Sequence, residues 1–184
     1  MANNKNDPYL LHSQLALPFM GTDTDFLKEI FDRLEFRFGL TRNSNQKFID
    51  LGCGDGRVVI FVALNYEIKS LGVEINPQLI REAKSQILLL KNKKIYKKKL
   101  FRRIIIKDGD IFQQNLKHFD FIYIFSLPTM QKFLNHIFIT ARKNAIIISY
   151  KYPLISFDSF LKLEEKIELR SLSQKDSAFF YRKF

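Results

Sequence analysis

The residues best suited to chemistry in this chain are three glycines at alternate positions, Gly52, Gly54 and Gly56, with Asp50 just before them. They separate a short apolar run from a second one, 58–63, that has the spacing of a helix. Because glycine tolerates positive φ and has no Cβ, such a backbone turns sharply and lies directly against a bound ligand. The pattern predicts a strand, a ligand-binding turn and a helix.

A second carboxylate stands at the distance typical of nucleotide cofactor sites. Glu74 follows Gly54 by twenty residues, near the end of the apolar run 70–75. At the carboxyl end of a strand in a doubly wound sheet, an acidic residue accepts hydrogen bonds from ribose hydroxyls. The alternative is a glycine turn and a surface glutamate that bind no ligand. The strand, turn and helix around the glycines favour the nucleotide site.

The glycine spacing and its acidic neighbours distinguish between cofactors. Dinucleotide sites favour Gly-x-Gly-x-x-Gly, where the helix N-terminus faces a pyrophosphate. Here the spacing is Gly-x-Gly-x-Gly, and Asp50 and Asp55 place negative charge beside the loop. That charge repels a pyrophosphate but suits a ligand with an ammonium and a sulfonium. We therefore predict S-adenosylmethionine as the cofactor, with S-adenosylhomocysteine as its product.

Four segments resemble the successive motifs of Rossmann-like S-adenosylmethionine-dependent methyltransferases: 50–57, 72–77, 109–112 and 125–128. From about Pro18 onward the chain is most similar to the small archaeal broad-specificity protein-lysine methyltransferases and their mitochondrial lysine-methylating relatives. The resemblance implies an α/β fold with a seven-stranded, mostly parallel sheet, an antiparallel C-terminal hairpin and helices on both faces. It also implies methyl transfer to lysine ε-amines of proteins by in-line displacement.

The resemblance assigns roles to individual residues. The cofactor-binding residues that it implies are Thr22, Asp50, Gly52, Gly54, Glu74, Ile75, Asp110 and Ile111. Asp110 ends the third predicted strand, where a carboxylate can accept the adenine amino hydrogens, although Asp108-Gly109 also fits an ordinary turn. In the family, a segment holding Phe19 and Thr22 closes over the methionine end of the cofactor. Alternatively, Thr22 is the N-cap of a helix predicted over 23–38.

The chemistry of methyl transfer indicates which residues should surround the acceptor. The enzyme mainly has to align the acceptor with the methyl group and exclude water, and it needs no metal or protein nucleophile. A lysine acceptor must be neutral, so its pKa of about 10.4 has to be overcome by desolvation or by proton loss. Residues expected to position it at the strand ends are Phe125, Ser126, Leu127, Pro128 and Tyr150, with Tyr152 nearby. Alternatively, Tyr150 only packs at an edge. No histidine or cysteine spacing suits a metal.

The net charge of +11 is concentrated in the basic block Lys91–Arg103. The block is either a solvated helix end or a surface for phosphates or acidic proteins. It supports an alternative function, an RNA or small-molecule methyltransferase with the same cofactor pocket. However, the sequence 125–128 lacks the Asn/Asp-Pro-Pro-Tyr/Phe pattern typical of nucleic-acid amino-group methylation. A third alternative, a non-catalytic protein that binds RNA or another partner, conflicts with the intact cofactor motif.

The whole chain of 184 residues predicts one domain over 1–184, in which 1–16 form a flexible N-terminal extension. Its one cysteine, Cys53, cannot form an internal disulfide and favours a reducing, cytoplasmic setting. We predict no membrane association, because the chain has neither an apolar run of about 18 residues nor a secretory leader. We also expect a monomer.

Overall fold

The computed structural model describes residues 22–170 and 175–184. The predicted extension 1–16 and Phe19 lie outside the described residues. Helix α1, Thr24–Phe38, begins after Asp23, whose carboxylate accepts the backbone N–H of Asp25 at 2.9 Å. The interpretation of Thr22 as the N-cap is therefore wrong by one residue, because it is the Asp23 side chain that reaches the unpaired N–H.

Seven strands form one sheet in the order β3-β2-β1-β4-β5-β7-β6. The strands are β1 Lys47–Leu51, β2 Lys69–Glu74, β3 Ile104–Asp108, β4 Phe121–Phe125, β5 Ile146–Tyr150, β6 Leu161–Arg170 and β7 Lys175–Lys183. The first five run parallel, and β7 inserts antiparallel between β5 and β6. The predicted Rossmann-like fold with its C-terminal hairpin is confirmed.

The helices lie on both faces of the sheet. Besides α1, the α-helices within the described ranges are α2 Arg57–Asn65, α3 Pro77–Asn92, α4 Pro128–Gln131 and α5 Asn135–Phe138. Helices α1 and α2 pack over Phe48, Tyr123 and Ile148 on one face, and α4 and α5 pack on the other. Two short helices, and not one long helix, follow Ser126, because the hydrogen bonds around Phe133 span three residues and tighten the turn between α4 and α5.

The predicted site residues and the basic block lie toward opposite edges of the parallel sheet. The carboxyl ends of the parallel strands share one edge, where the glycine loop and the other predicted site residues meet. Helix α3 begins there after its N-cap Asn76 and runs away for 16 residues, about 24 Å. The basic block Lys91–Arg103 therefore lies toward the opposite edge, before β3. No helix within the described ranges is long and apolar enough to span a membrane.

Candidate cofactor and acceptor site at the carboxyl edge of the sheet

The glycine loop after β1 depends on left-handed backbone conformations. Gly52, Gly54 and Gly56 have φ values of 81°, 55° and 76°. Residues with a Cβ adopt such values only with strain. A Cβ at Gly52 would meet nothing within 4 Å, so the loop leaves open space above it. A Cβ at Gly56 would lie 3.0 Å from that of Ala83, so the loop also allows α3 to approach closely. The loop therefore forms the turn that the sequence predicted and also packs closely against α3.

Glu74 joins the glycine loop to the loop after β2. Its Oε2 accepts the N–H of Gly54 at 2.9 Å, and its Oε1 accepts the N–H groups of Ile75 and Asn76 at the same distance. A carboxylate offers about four acceptor positions, so one remains for a ligand hydroxyl. The residue is 8% exposed. Glu74 therefore fixes the geometry of the cofactor loops as well as lying where a ribose hydroxyl is predicted to bind.

Asp50 is a buried carboxylate that lacks a compensating cation. It is 3% exposed, and no hydrogen bond from the described part of the chain reaches its oxygens. Burial raises the pKa of Asp50 well above its ordinary value, and the charges of Glu74 and Asp55 raise it further. A cationic ligand would stabilise the ionised form of such a buried carboxylate. The residues present therefore fit the ammonium and sulfonium of S-adenosylmethionine.

Asp55, the other acid of the loop, already has a partner. Arg57 Nη2 lies 2.7 Å from Asp55 Oδ2. Burial pushes the pKa of Asp55 upward, but the hydrogen bonds and charge of Arg57 outweigh it, so that the pKa is lowered. Arg57 Nη1 also donates to the carbonyl oxygen of Thr22 at 3.3 Å. The glycine loop is thus tied to the segment that precedes α1.

Thr22 is held from a second side by Tyr123. The two hydroxyl groups lie 2.8 Å apart in a buried hydrogen bond between positions 101 residues apart in the chain. Tyr123 pairs with Asp50 in the register of β4 with β1, so Thr22 lies over the part of the sheet that carries Asp50. Sequence reasoning missed Tyr123, whose only signal was a hydroxyl inside an otherwise apolar run.

Asp110 follows the strand next to β2. Its Oδ1 accepts the N–H of Phe112 at 2.8 Å and begins a 3-10 turn at Ile111. Gly109 N–H donates to the carbonyl oxygen of Glu74 at 3.0 Å, which places the loops after β2 and β3 side by side. Ile75 is 46% exposed, and Ile111 is half-buried. The structure therefore brings the predicted ribose and adenine residues together.

Aromatic side chains gather at the ends of β4 and β5, which we call the acceptor end because the sequence predicts that the acceptor binds there. Phe125 pairs with Tyr150 across the sheet, and its ring centroid lies 6.0 Å from those of both Tyr150 and Tyr152. Ser126 is fully buried, and its Oγ has no hydrogen-bond partner among residues 22–170 and 175–184. The backbone of Leu127 and Pro128 then begins α4. These five predicted residues lie together, with Leu127 half-buried and Pro128 exposed.

Tyr150 contacts Asp176, a residue that sequence reasoning missed. Its hydroxyl donates to Asp176 Oδ2 at 2.6 Å, and Asp176 on β7 is buried. Burial, followed by this acidic partner, raises the pKa of Tyr150. No local pattern identifies Asp176, because only the insertion of β7 beside β5 brings it to this edge.

Metal or thiol chemistry has little support among residues 22–170 and 175–184. No group of three histidine, cysteine or acidic side chains there could hold a metal ion. Burial, with the neighbouring acids, raises the pKa of the Cys53 thiol, so it is protonated at neutral pH. A Cβ at Gly72 would lie 2.5 Å from Cys53 Sγ, which shows how closely that thiol packs on β2. Cys53 is a packing residue.

Comparison with known proteins gives concordant results. Residues 50–159 match the model of the ANTKMT methyltransferase domain family. A protein-lysine N-methyltransferase of Saccharolobus islandicus is 34% identical over 86 residues, which are 46% of this chain and 48% of that protein. A Caenorhabditis elegans protein, named as a lysine N-methyltransferase of an ATP synthase subunit, is 27% identical over 154 residues, 84% of this chain and 76% of that protein. The match thus spans about half the length of the archaeal relative.

Solved structures agree on the fold. An RNA methyltransferase from Salinibacter ruber, crystallised with S-adenosyl-L-homocysteine, superposes with a TM-score of 0.70 over 89% of this chain and 94% of its own. Its sequence identity of 17% is low, so the likeness extends to the architecture alone.

Proposed function

The chain belongs to the ANTKMT methyltransferase domain family, and from that membership we propose that it methylates the ε-amines of protein lysines. Its methyl donor is S-adenosylmethionine, which supplies an electrophilic methyl group on a sulfonium. The observation that carries the choice of lysine is that the archaeal and nematode relatives are both named as lysine N-methyltransferases. The aromatic acceptor end of this chain suits the same chemistry.

At the cofactor end, the glycine loop and its acids would hold the donor. Gly52 and Gly54 allow the backbone to approach it, and Asp50 faces its cationic methionine part. Glu74 would accept a hydrogen bond from one ribose hydroxyl with its remaining acceptor position. Ile75, Asp110 and Ile111 would contact the adenine. Thr22, held by Tyr123 and Arg57, would cover the methionine part.

At the acceptor end, the side chains would desolvate and align the amine. Phe125 and Tyr150 form an apolar wall that disfavours the ammonium form, so that the neutral amine presents its lone pair. The unpartnered hydroxyl of Ser126 can accept a hydrogen bond from an amine N–H. Leu127 and Pro128 fix the backbone that carries Ser126. Together these residues perform the alignment that an in-line displacement requires.

The test is to incubate the protein with labelled S-adenosylmethionine and a mixture of cell protein and RNA. Label should enter protein, and mass spectrometry should find methyllysine. Below the amine's pKa, the rate should rise about tenfold per pH unit where the neutral fraction limits it. Asp50→Asn serves as the control with impaired cofactor binding. Label in RNA with a pH-independent rate would replace this proposal with the RNA methyltransferase alternative.

That alternative is not favoured by the position of the basic block. Lys91–Arg103 lies toward the edge of the sheet opposite the glycine loop. An RNA molecule bound to this block would therefore lie far from the methyl group that is transferred.

We place the reaction in a reducing, cytoplasmic compartment, with exposed lysines of other proteins as substrates and the enzyme as a monomer. The buried free thiol of Cys53 supports the reducing setting.

A further inference from the structure

A buried carboxylate lies beside the acceptor end and has no part in the proposed reaction. Asp176 is 7% exposed and receives the 2.6 Å hydrogen bond from the Tyr150 hydroxyl on Oδ2. Its other oxygen, Oδ1, lies 3.6 Å from the Lys151 ammonium. This carboxylate therefore already binds a lysine, and that lysine comes from the protein itself.

The sheet register places Asp176 next to the aromatic wall. Tyr150 pairs with Phe125 on one side and with Ala178 on the other. Asp176 precedes Ala178 by two residues and so shares its face of β7. Ala178, Tyr150 and Phe125 all pack on the face that α1 covers. The carboxylate thus lies one strand beyond the side chains that we propose desolvate the acceptor.

Lys151 is held in an unusual backbone conformation. Its φ is 71°, in the left-handed region that residues with a Cβ rarely adopt. Its N–H donates to the carbonyl oxygen of Ser177 at 2.7 Å, which fixes the residue against the start of β7. The side chain is 26% exposed, whereas that of Asp176 is 4% exposed. Lys151 therefore covers the carboxylate from the solvent side, and strain of this kind occurs preferentially at functional sites.

We propose that Asp176, aligned by Tyr150, is a binding site for the ammonium of the acceptor lysine, and that Lys151 occupies it until an acceptor arrives. The inference rests on the proposed lysine methylation and adds a step before it. Exchange of one ammonium for another keeps the buried carboxylate paired throughout, which avoids the large cost of an uncompensated buried charge. No proton or methyl group moves in this step. The acceptor would afterwards lose its proton to water and turn toward the donor.

Two substitutions with opposite expected effects test the proposal in steady-state assays with a lysine peptide. Asp176→Asn keeps the shape of the side chain and an oxygen for the Tyr150 hydroxyl, but should raise KM about tenfold. An opposite charge within about 4–6 Å raises the pKa of an amine by roughly 1–3 units. Without that charge, the rise of kcat with pH should move to lower pH, by about one unit. Lys151→Met removes the internal competitor and should lower KM several-fold.

The matched control is Glu164→Gln on the neighbouring strand. It also removes one carboxylate of the hairpin, but that carboxylate pairs with Arg182 at 2.7 Å, away from Tyr150. Its KM and pH profile should equal those of the wild type. The other titratable groups that act on Tyr150 and its neighbour Tyr123 are Asp23 and Asp50, which all these variants retain.

The outcomes separate this inference from the proposed function. If Lys151 and Asp176 form only a structural ion pair, both variants should impair activity in the same direction, and the proposal is overturned. An unchanged KM and pH profile in Asp176→Asn overturns it as well. If that variant does not fold, Lys151→Met decides alone, because its KM must fall. A wild-type protein that methylates no lysine would overturn the proposed function itself, and this inference with it.

Discussion

The Glu74 carboxylate accepts the backbone N–H of Gly54 at 2.9 Å, across twenty positions of the chain. With the N–H groups of Ile75 and Asn76, it binds three backbone donors and so connects two loops of the cofactor end. The acid that family resemblance assigns to a ribose therefore also holds the glycine loop, which is predicted to bind the donor. Substitution at this position should affect both.

Glu74→Gln should weaken S-adenosylhomocysteine binding at least tenfold. The amide has one acceptor oxygen in place of two, and hydrogen bonds to a charged group are worth about 1.5–3 kcal/mol each. Isothermal titration calorimetry measures the loss. Glu82→Gln on α3 is the control and should bind as the wild type does, because Glu82 is exposed and accepts a hydrogen bond from Gln78 on the same helix. A loss below about threefold in Glu74→Gln would place Glu74 outside the site.

Asp50→Asn should stabilise the ligand-free protein while it weakens cofactor binding. The raised pKa of Asp50 means that the folded state binds its proton more tightly than the unfolded chain does. Stability is therefore lost as the pH rises from the ordinary pKa toward the raised one. The amide avoids that loss, so the free energy of unfolding should increase by about 1 kcal/mol or more near neutral pH.

Denaturant titrations of the two proteins near pH 4 and near pH 7 measure this effect. The gain should be present near pH 7 and much smaller near pH 4, where the folded wild type is protonated and the unfolded chain is only about half ionised at this position. In thermal unfolding it corresponds to roughly 2–4 °C per kcal/mol for a chain of this size. Destabilisation by Asp50→Asn at neutral pH would show that the carboxylate has an internal partner.

Arg57→Gln should destabilise the protein by about 1–2 kcal/mol, because it leaves the buried carboxylate of Asp55 without its cation. The cost stays in this range because Arg57 is partly exposed and solvent already screens the pair. The exposed pair Arg42–Glu35 offers the control, and Arg42→Gln should cost less than about 1 kcal/mol. Since the pKa of Asp55 is lowered, its contribution is present above the ordinary value and lost as the pH falls through the folded pKa. The difference in the free energy of unfolding between the wild type and Arg57→Gln should therefore shrink at low pH. A difference that does not change with pH would argue that the ion pair does not contribute to stability.

Tyr123→Phe and Thr22→Val should be coupled. Either change alone leaves a buried hydroxyl without its partner, which costs about 1–3 kcal/mol, whereas the double variant removes both hydroxyls. A double-mutant cycle in urea should therefore give a coupling free energy of about 1 kcal/mol. Strict additivity would mean that the 2.8 Å contact contributes nothing to stability.

The basic block should be dispensable for methylation. The five lysines to replace by glutamine are Lys93, Lys94, Lys97, Lys98 and Lys99. Cofactor affinity and lysine methylation should remain within about twofold, because the block lies toward the opposite edge and only screened charge effects reach across. Binding of RNA in the micromolar range, dependent on salt and lost in this variant, would contradict our interpretation of the block.

The elements that the sequence predicted are those with local signals. Alternating glycines permit positive φ, and the glycine turn was found at the predicted position. Asn76 and Pro77 carry a signal of the same local kind, because Asn is a good N-cap and Pro suits the first helical position. The N-cap of α1 was less certain, because Thr22 and Asp23 are both good caps and only the side-chain geometry decides between them. Local chemistry therefore identifies the cofactor loop but does not settle adjacent candidates.

Contacts between distant strands could not be predicted from the sequence. Tyr123 and Thr22 meet because β4 pairs with β1 under the segment before α1. Asp176 reaches Tyr150 because β7 inserts beside β5 and not at the outer edge, a choice that hydrophobic periodicity does not encode. The acceptor end was accordingly described by its aromatic residues, without the carboxylate that lies beside them.

Because β7 lies between β5 and β6 but follows both in the chain, the sheet cannot be completed before β7 has been translated. The loops that carry Gly54, Glu74 and Asp110 are translated early, and β1 to β5 can pair as soon as they emerge. The strand that holds Asp176 follows them all and must enter beside a strand already made. A chain that ends before β7 therefore carries Gly54, Glu74 and Asp110 but lacks Asp176, the carboxylate that the Tyr150 hydroxyl contacts.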